Sequence, residues 1–66
     1  MKYSIIVKDD KQIDKAIALL TKAKWLTETN MHLDYTDGIT SFVTTSAEAH
    51  DSACFYLSTM GIKIIR

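Results

Sequence analysis

The chain has 66 residues, 47% hydrophobic and 24% charged, with eight bases, eight acids and no net charge. That composition excludes a disordered segment, and the length confines the chain to one domain, residues 1–66, with a thin core. A single cysteine, Cys54, excludes an internal disulfide framework and points to a reducing, cytoplasmic setting.

No apolar run approaches the ~20 residues of a membrane span. The run Ile5-Ile6-Val7 is too short for a secretion signal and is followed by Lys8-Asp9-Asp10. Charge is unevenly placed. Six lysines lie before Trp25, whereas Trp25 to Gly61 holds no lysine or arginine and the acids Glu28, Asp34, Asp37, Glu48 and Asp51. Such segregation allows one basic and one acidic surface, or simply solvated charges.

Residues 2–8 alternate, with Tyr3, Ile5 and Val7 against Ser4, Ile6 and Lys8, which is a strand pattern. Asp9 with Gln12 three residues on reads as a capping box. Ile13, Ala16, Ile17, Leu20 and Ala23 follow at helical spacing, and the helix is expected to fade near Trp25. Met31–Thr36 alternates again and runs into Asp37-Gly38, a type I′ hairpin signal, before a strand at Ile39–Thr44. A two-residue turn sets Thr36 opposite Ile39, Leu33 opposite Phe42 and His32 opposite Val43.

Thr45-Ser46-Ala47-Glu48 has the form of a second capping box. The helix it opens carries Ala49, Ala53, Leu57 and Met60 on one stripe, with Gly61 after its end. Ile62–Arg66 closes the chain as a short strand. The order β-α-β-β-α-β predicts an α+β, ferredoxin-like split fold: a four-stranded antiparallel sheet, ordered 4-1-3-2, with both helices on one face. The expected core is Ile5, Val7, Ile13, Ile17, Leu20, Leu33, Phe42, Ala53, Leu57, Met60, Ile62 and Ile64.

The uncovered sheet face would carry Ser4, Ile6, Lys8, His32, Asp34, Ile39, Ser41, Val43, Lys63 and Ile65. Ile6, Ile39, Val43 and Ile65 form the candidate apolar patch, and such a patch on a small domain marks an interface. Asp34, Asp37, Glu48 and Asp51 are the candidate acidic surface for a basic protein partner.

Other chemistry finds little support. Base stacking on this topology needs aromatics at central positions of the open face, where Ser4, Ile6, Ser41 and Val43 stand, so nucleic acid is not an expected partner. His50 and Cys54, one helical turn apart, supply two ligands or a base and a thiol, short of a four-ligand zinc site or an oriented third partner. The loop Lys8-Asp9-Asp10-Lys11 lacks the glycine that lets backbone approach a small ligand or phosphate. No catalytic, cofactor or metal residue is assigned. The expected function is a non-enzymatic protein-binding or regulatory module, a homodimer through its open sheet face. A phage-type inhibitor that binds a host protein complex through the acidic surface is the alternative, and a small-ligand-sensing domain a lesser one.

Overall fold

A computed structural model describes residues 1–27 and 29–65. Glu28, one of the acidic set, and Arg66, the one arginine, lie outside the described residues. The elements are β1 (Tyr3–Val7), α1 (Ile13–Lys22), β2 (Met31–Thr36), β3 (Ile39–Thr44), α2 (Ala47–Thr59) and β4 (Ile64–Ile65). The class is α+β. Every strand pair is antiparallel, and the sheet order is β2-β3-β1-β4, which reads 4-1-3-2 from the other edge.

Local chemistry explains most of these boundaries. Asp37 (φ 54°) and Gly38 (φ 77°) both sit in the left-handed region, as a type I′ turn requires. That turn sets the register Thr36↔Ile39, Leu33↔Phe42 and His32↔Val43, as the two-residue connection implies. Asp9 caps a 3-10 turn at Asp10–Gln12, its carboxylate accepting from the Lys11 N–H at 3.0 Å, and α1 begins only at Ile13.

Neither expected capping box closes. Gln12 reaches across the chain instead: its Nε2 donates to the Gly61 carbonyl at 3.0 Å, and its Oε1 accepts from the Lys63 N–H at 2.9 Å. One glutamine thereby ties the start of α1 to the α2–β4 connection. In α2 the cap falls one residue later than Thr45, because Ser46 Oγ accepts from the Ala49 N–H at 3.2 Å. Glu48 then stands in the first turn, where its charge favours the helix dipole.

Both helices end in the same backbone device. After α2, the Gly61 N–H donates to Ser58 O at 3.1 Å and the Ile62 N–H to Leu57 O at 2.9 Å, with Gly61 at φ 82°. After α1, the Lys24 N–H donates to Thr21 O at 3.1 Å and the Trp25 N–H to Leu20 O at 3.0 Å, with Lys24 at φ 65°. Each is a Schellman motif, but only α2 has a glycine at the left-handed position. Ile62, expected in the last strand, serves as the buried residue that closes the α2 motif, and among the described residues β4 pairs through Ile64 and Ile65.

Both helices pack on the sheet face of Ile5, Val7 and Phe42, where Ala16, Leu20, Ala53, Cys54, Leu57, Met31 and Ile62 complete one buried cluster. Ile13, Ile17 and Ile64 lean on it, half-buried. Two expected core residues do not belong. Leu33 is 46% exposed and Met60 41%. Leu33 lies on edge strand β2, while α2 packs against β1, β3 and β4 and leaves the far end of β2 uncovered. Met60 is the C-cap of α2, beyond the last turn that faces the sheet. Ala16, Met31 and Cys54 take up burial that the expected core did not give them, and Thr44 is buried with its hydroxyl donating to Asn30 O at 2.8 Å.

Candidate functional site

The open face follows from the register. Ser4–Val43–His32 form one cross-strand row, and Ile65–Ile6–Ser41–Asp34 the next. Ile39 and Thr36 pair one step further toward the turn, where the Lys8 N–H donates to Lys63 O at 2.8 Å. Ile6, Ile39 and Ile65 come from three different strands and meet around one hollow of ≈ 290 Å³, rimmed by Lys8, Asp10 and Gly38. Ile39 is 50% exposed and Ile65 47%.

Val43 does not join them. It is only 9% exposed, because it sits in an inner strand flanked by His32 on one side and Ser4 on the other. Ile39 stays open at a strand end beside the turn, and Ile65 at a sheet edge. The expected four-residue patch is therefore a three-residue one.

Charge on this face is polarised across the strands. Lys8 and Lys63 lie on the β1–β4 side and Asp34 and Asp37 on the β2–turn side. The Thr36 hydroxyl donates to Asp34 Oδ2 at 3.1 Å and holds that carboxylate in place. The expected acidic surface, by contrast, is divided. Asp34 shares the open face with Ser41 and Ile6, whereas Glu48 and Asp51 belong to α2 on the opposite side of the sheet. The strand alternation that points Asp34 away from Phe42 also points it away from α2.

His50 and Cys54 do meet, with Nε2 and Sγ 3.8 Å apart. Nε2 also lies 3.2 Å from the Ser4 carbonyl, and Nδ1 lies 3.2 Å from Asp51 Oδ1. A carbonyl only accepts, so Nε2 donates there, and the nitrogen nearest the thiol lacks the lone pair that proton abstraction requires. The thiol is 2% exposed, beyond the reach of a substrate. With the Tyr3 ring 5.7 Å away, His50 acts as a fastener between α2 and β1. Among the described residues, no group of three His, Cys, Asp or Glu side chains is arranged to hold a metal ion.

The loop between β1 and α1 gathers Lys8, Lys11 and Lys63 with Asp9 and Asp10 around a second hollow, where the three lysines outnumber the two aspartates by one. Among the described residues, no helix is long and apolar enough to cross a membrane. Known protein families, characterised proteins and solved structures offer no match to this chain.

One surface escaped the sequence reading. Trp25 and Tyr56 pack edge to face, with centroids 5.1 Å apart and planes at 61°. They line a hollow of ≈ 500 Å³ with Phe55, Asp51, Ser52 and Thr59, and Phe55 is 76% exposed. Two helical positions separate Phe55 from both Ala53 and Leu57, which turns it about 200° from the buried stripe. That offset was a usable signal: a phenylalanine on the water side of a helix has no core to serve.

Proposed function

We propose that this chain is a small non-catalytic interaction module of the ferredoxin-like split β-α-β kind, which pairs with a second copy through its open sheet face. The convergence of Ile6, Ile39 and Ile65 carries this reading. A thin core and a half-exposed apolar cluster are both relieved when two such faces meet.

The charge pattern favours one arrangement. A two-fold axis parallel to the strands lays β1 of one copy over β3 of the other, and β4 over β2. Ile6 then meets Ile39 of the second copy, and the Lys63 edge faces the Asp34–Asp37 edge. An axis across the strands would instead set the Lys63 edge on its own copy. With no net charge, the copies also meet without long-range repulsion. A stable pair needs about 800 Å² from each partner. The whole open face therefore takes part, with the isoleucines as its dry centre. The single, buried cysteine fits a cytoplasmic setting.

Complementary charge reversal tests this arrangement. A chain carrying Lys8→Glu and Lys63→Glu, and another carrying Asp34→Lys and Asp37→Asn, should each run as monomers alone and form a mixed pair when combined. Unaltered dimers of either variant, or no pairing in the mixture, would refute it.

A further inference from the structure

The aromatic hollow of α2 lies on the side of the sheet away from the open face, so pairing of two copies leaves it uncovered. It is built from two elements: Trp25 follows the Schellman end of α1, and Phe55 and Tyr56 come from the middle of α2. Burial explains part of it, since Trp25 and Tyr56 both lean on the core. It does not explain Phe55, three-quarters of whose surface faces water at 76% exposure.

Two features select the occupant. The first is charge: Asp51 is the one ionisable carboxylate on the lining, and none of the six lining residues is basic. The Asp51 carboxylate lies at the exposed rim, 3.2 Å from His50 Nδ1. Glu48 stands one turn before Ser52 on the same exposed stripe and extends the negative field. The second is ring geometry. Trp25 and Tyr56 meet edge to face at 61°, and both rings line the hollow that Phe55 borders. Aromatic faces carry negative quadrupole potential, and a cation within about 6 Å of a ring centre is attracted to it. A neutral apolar side chain would gain from the rings but nothing from Asp51.

We propose that the hollow formed by Trp25, Phe55, Tyr56 and Asp51 is a docking site for an arginine side chain in a basic segment of a protein partner. The guanidinium is planar, so it can lie against a ring and at the same time donate to a carboxylate at its edge. The aliphatic stem of the arginine would cover the exposed ring of Phe55.

Trp25 is the one tryptophan in the chain, so its fluorescence reports occupancy without a label. The probe is acetyl-triarginine amide, and the control is acetyl-tricitrulline amide, nearly the same in shape but uncharged. The arginine peptide should produce a saturable change in Trp25 emission, and the citrulline peptide should bind at least about fivefold more weakly. Phe55→Ala and Asp51→Asn should each weaken arginine-peptide binding by about 2- to 30-fold, the range a cation–aromatic contact spans. Asp34→Asn, on the other face, should leave it unchanged. Phe55 is outside the core, so its variant should keep the wild-type circular dichroism spectrum and unfolding midpoint. No saturable response to the arginine peptide, equal binding of both peptides, or an unaltered affinity in Phe55→Ala would overturn the proposal. So would a loss of dimer mass in Phe55→Ala, which would make a second copy the occupant. Failure of the open face to pair would not touch these results, since the two surfaces share no residue.

Discussion

Both faces of the sheet carry isoleucine, and the isoleucines on the two faces have opposite fates. On β1, Ile5 is fully buried beneath the helices, while its neighbour Ile6 points to the other side and stays partly exposed. On β3, Phe42 is fully buried, and Ile39, at the start of the same strand, is 50% exposed. Burial here depends on what lies above a position, and helices cover only one face. An isoleucine on the bare face stabilises the single chain less than a buried one, and the proposed pairing would cover what is left exposed.

That contrast can be broken from either side. Phe42→Ala should have the largest effect, destabilising the fold by about 3–5 kcal/mol, enough to leave so small a domain largely unfolded at room temperature by circular dichroism. A stable Phe42→Ala chain would mean that the covered face is not the core. Ile65→Asp should act oppositely: dilute-solution stability within about 0.5 kcal/mol of wild type, as for a surface change, but self-association weakened at least about tenfold, or 1.4 kcal/mol. Sedimentation over a concentration series reads the second quantity and urea unfolding the first.

A smaller effect comes from the helix ends, where the same comparison recurs in miniature. Gly61 and Lys24 occupy equivalent left-handed positions at φ 82° and 65°. Gly61→Ala should cost about 1 kcal/mol, although an added Cβ would meet no neighbour within 4 Å, because the strain is in the backbone. Lys24→Gly should stabilise by about 0.5–1 kcal/mol for the same reason, the smallest of these shifts. A destabilised Lys24→Gly would mean that the lysine side chain contributes something its exposed position does not suggest.

The hairpin was the most legible part of the sequence, because Asp37-Gly38 encodes both the turn and the register, and every later face assignment depends on it. The start of α2 was legible to within a residue, whereas α1 begins three residues beyond the position that an Asp9 cap implied, after a 3-10 turn. Asp9 and Ser46 have the right chemistry, but Gln12 found better partners at Gly61 and Lys63 than its own helix offered, and no local pattern encodes a contact 49 residues away. Leu33 and Met60 misled because periodicity says which way a side chain points, not whether anything lies above it. Val43 misled in the opposite sense: it points to the bare face yet is shielded by its strand neighbours. The open-face isoleucines were legible as a set, since strand alternation alone assigns Ile6, Ile39 and Ile65 to one side. The aromatic hollow was not, because it joins Trp25 to Tyr56 across a gap that only the packing of the two helices closes.

The proposed pairing makes the bare face a contact between copies. Light scattering on the intact chain and on Ile6→Asp at matched, high micromolar concentration tests it directly. The wild type should show about twice its chain mass of 7.5 kDa, and Ile6→Asp should return to the single-chain value with its fold intact. A wild type of single-chain mass at that concentration, or an Ile6→Asp variant that still pairs, would contradict the account.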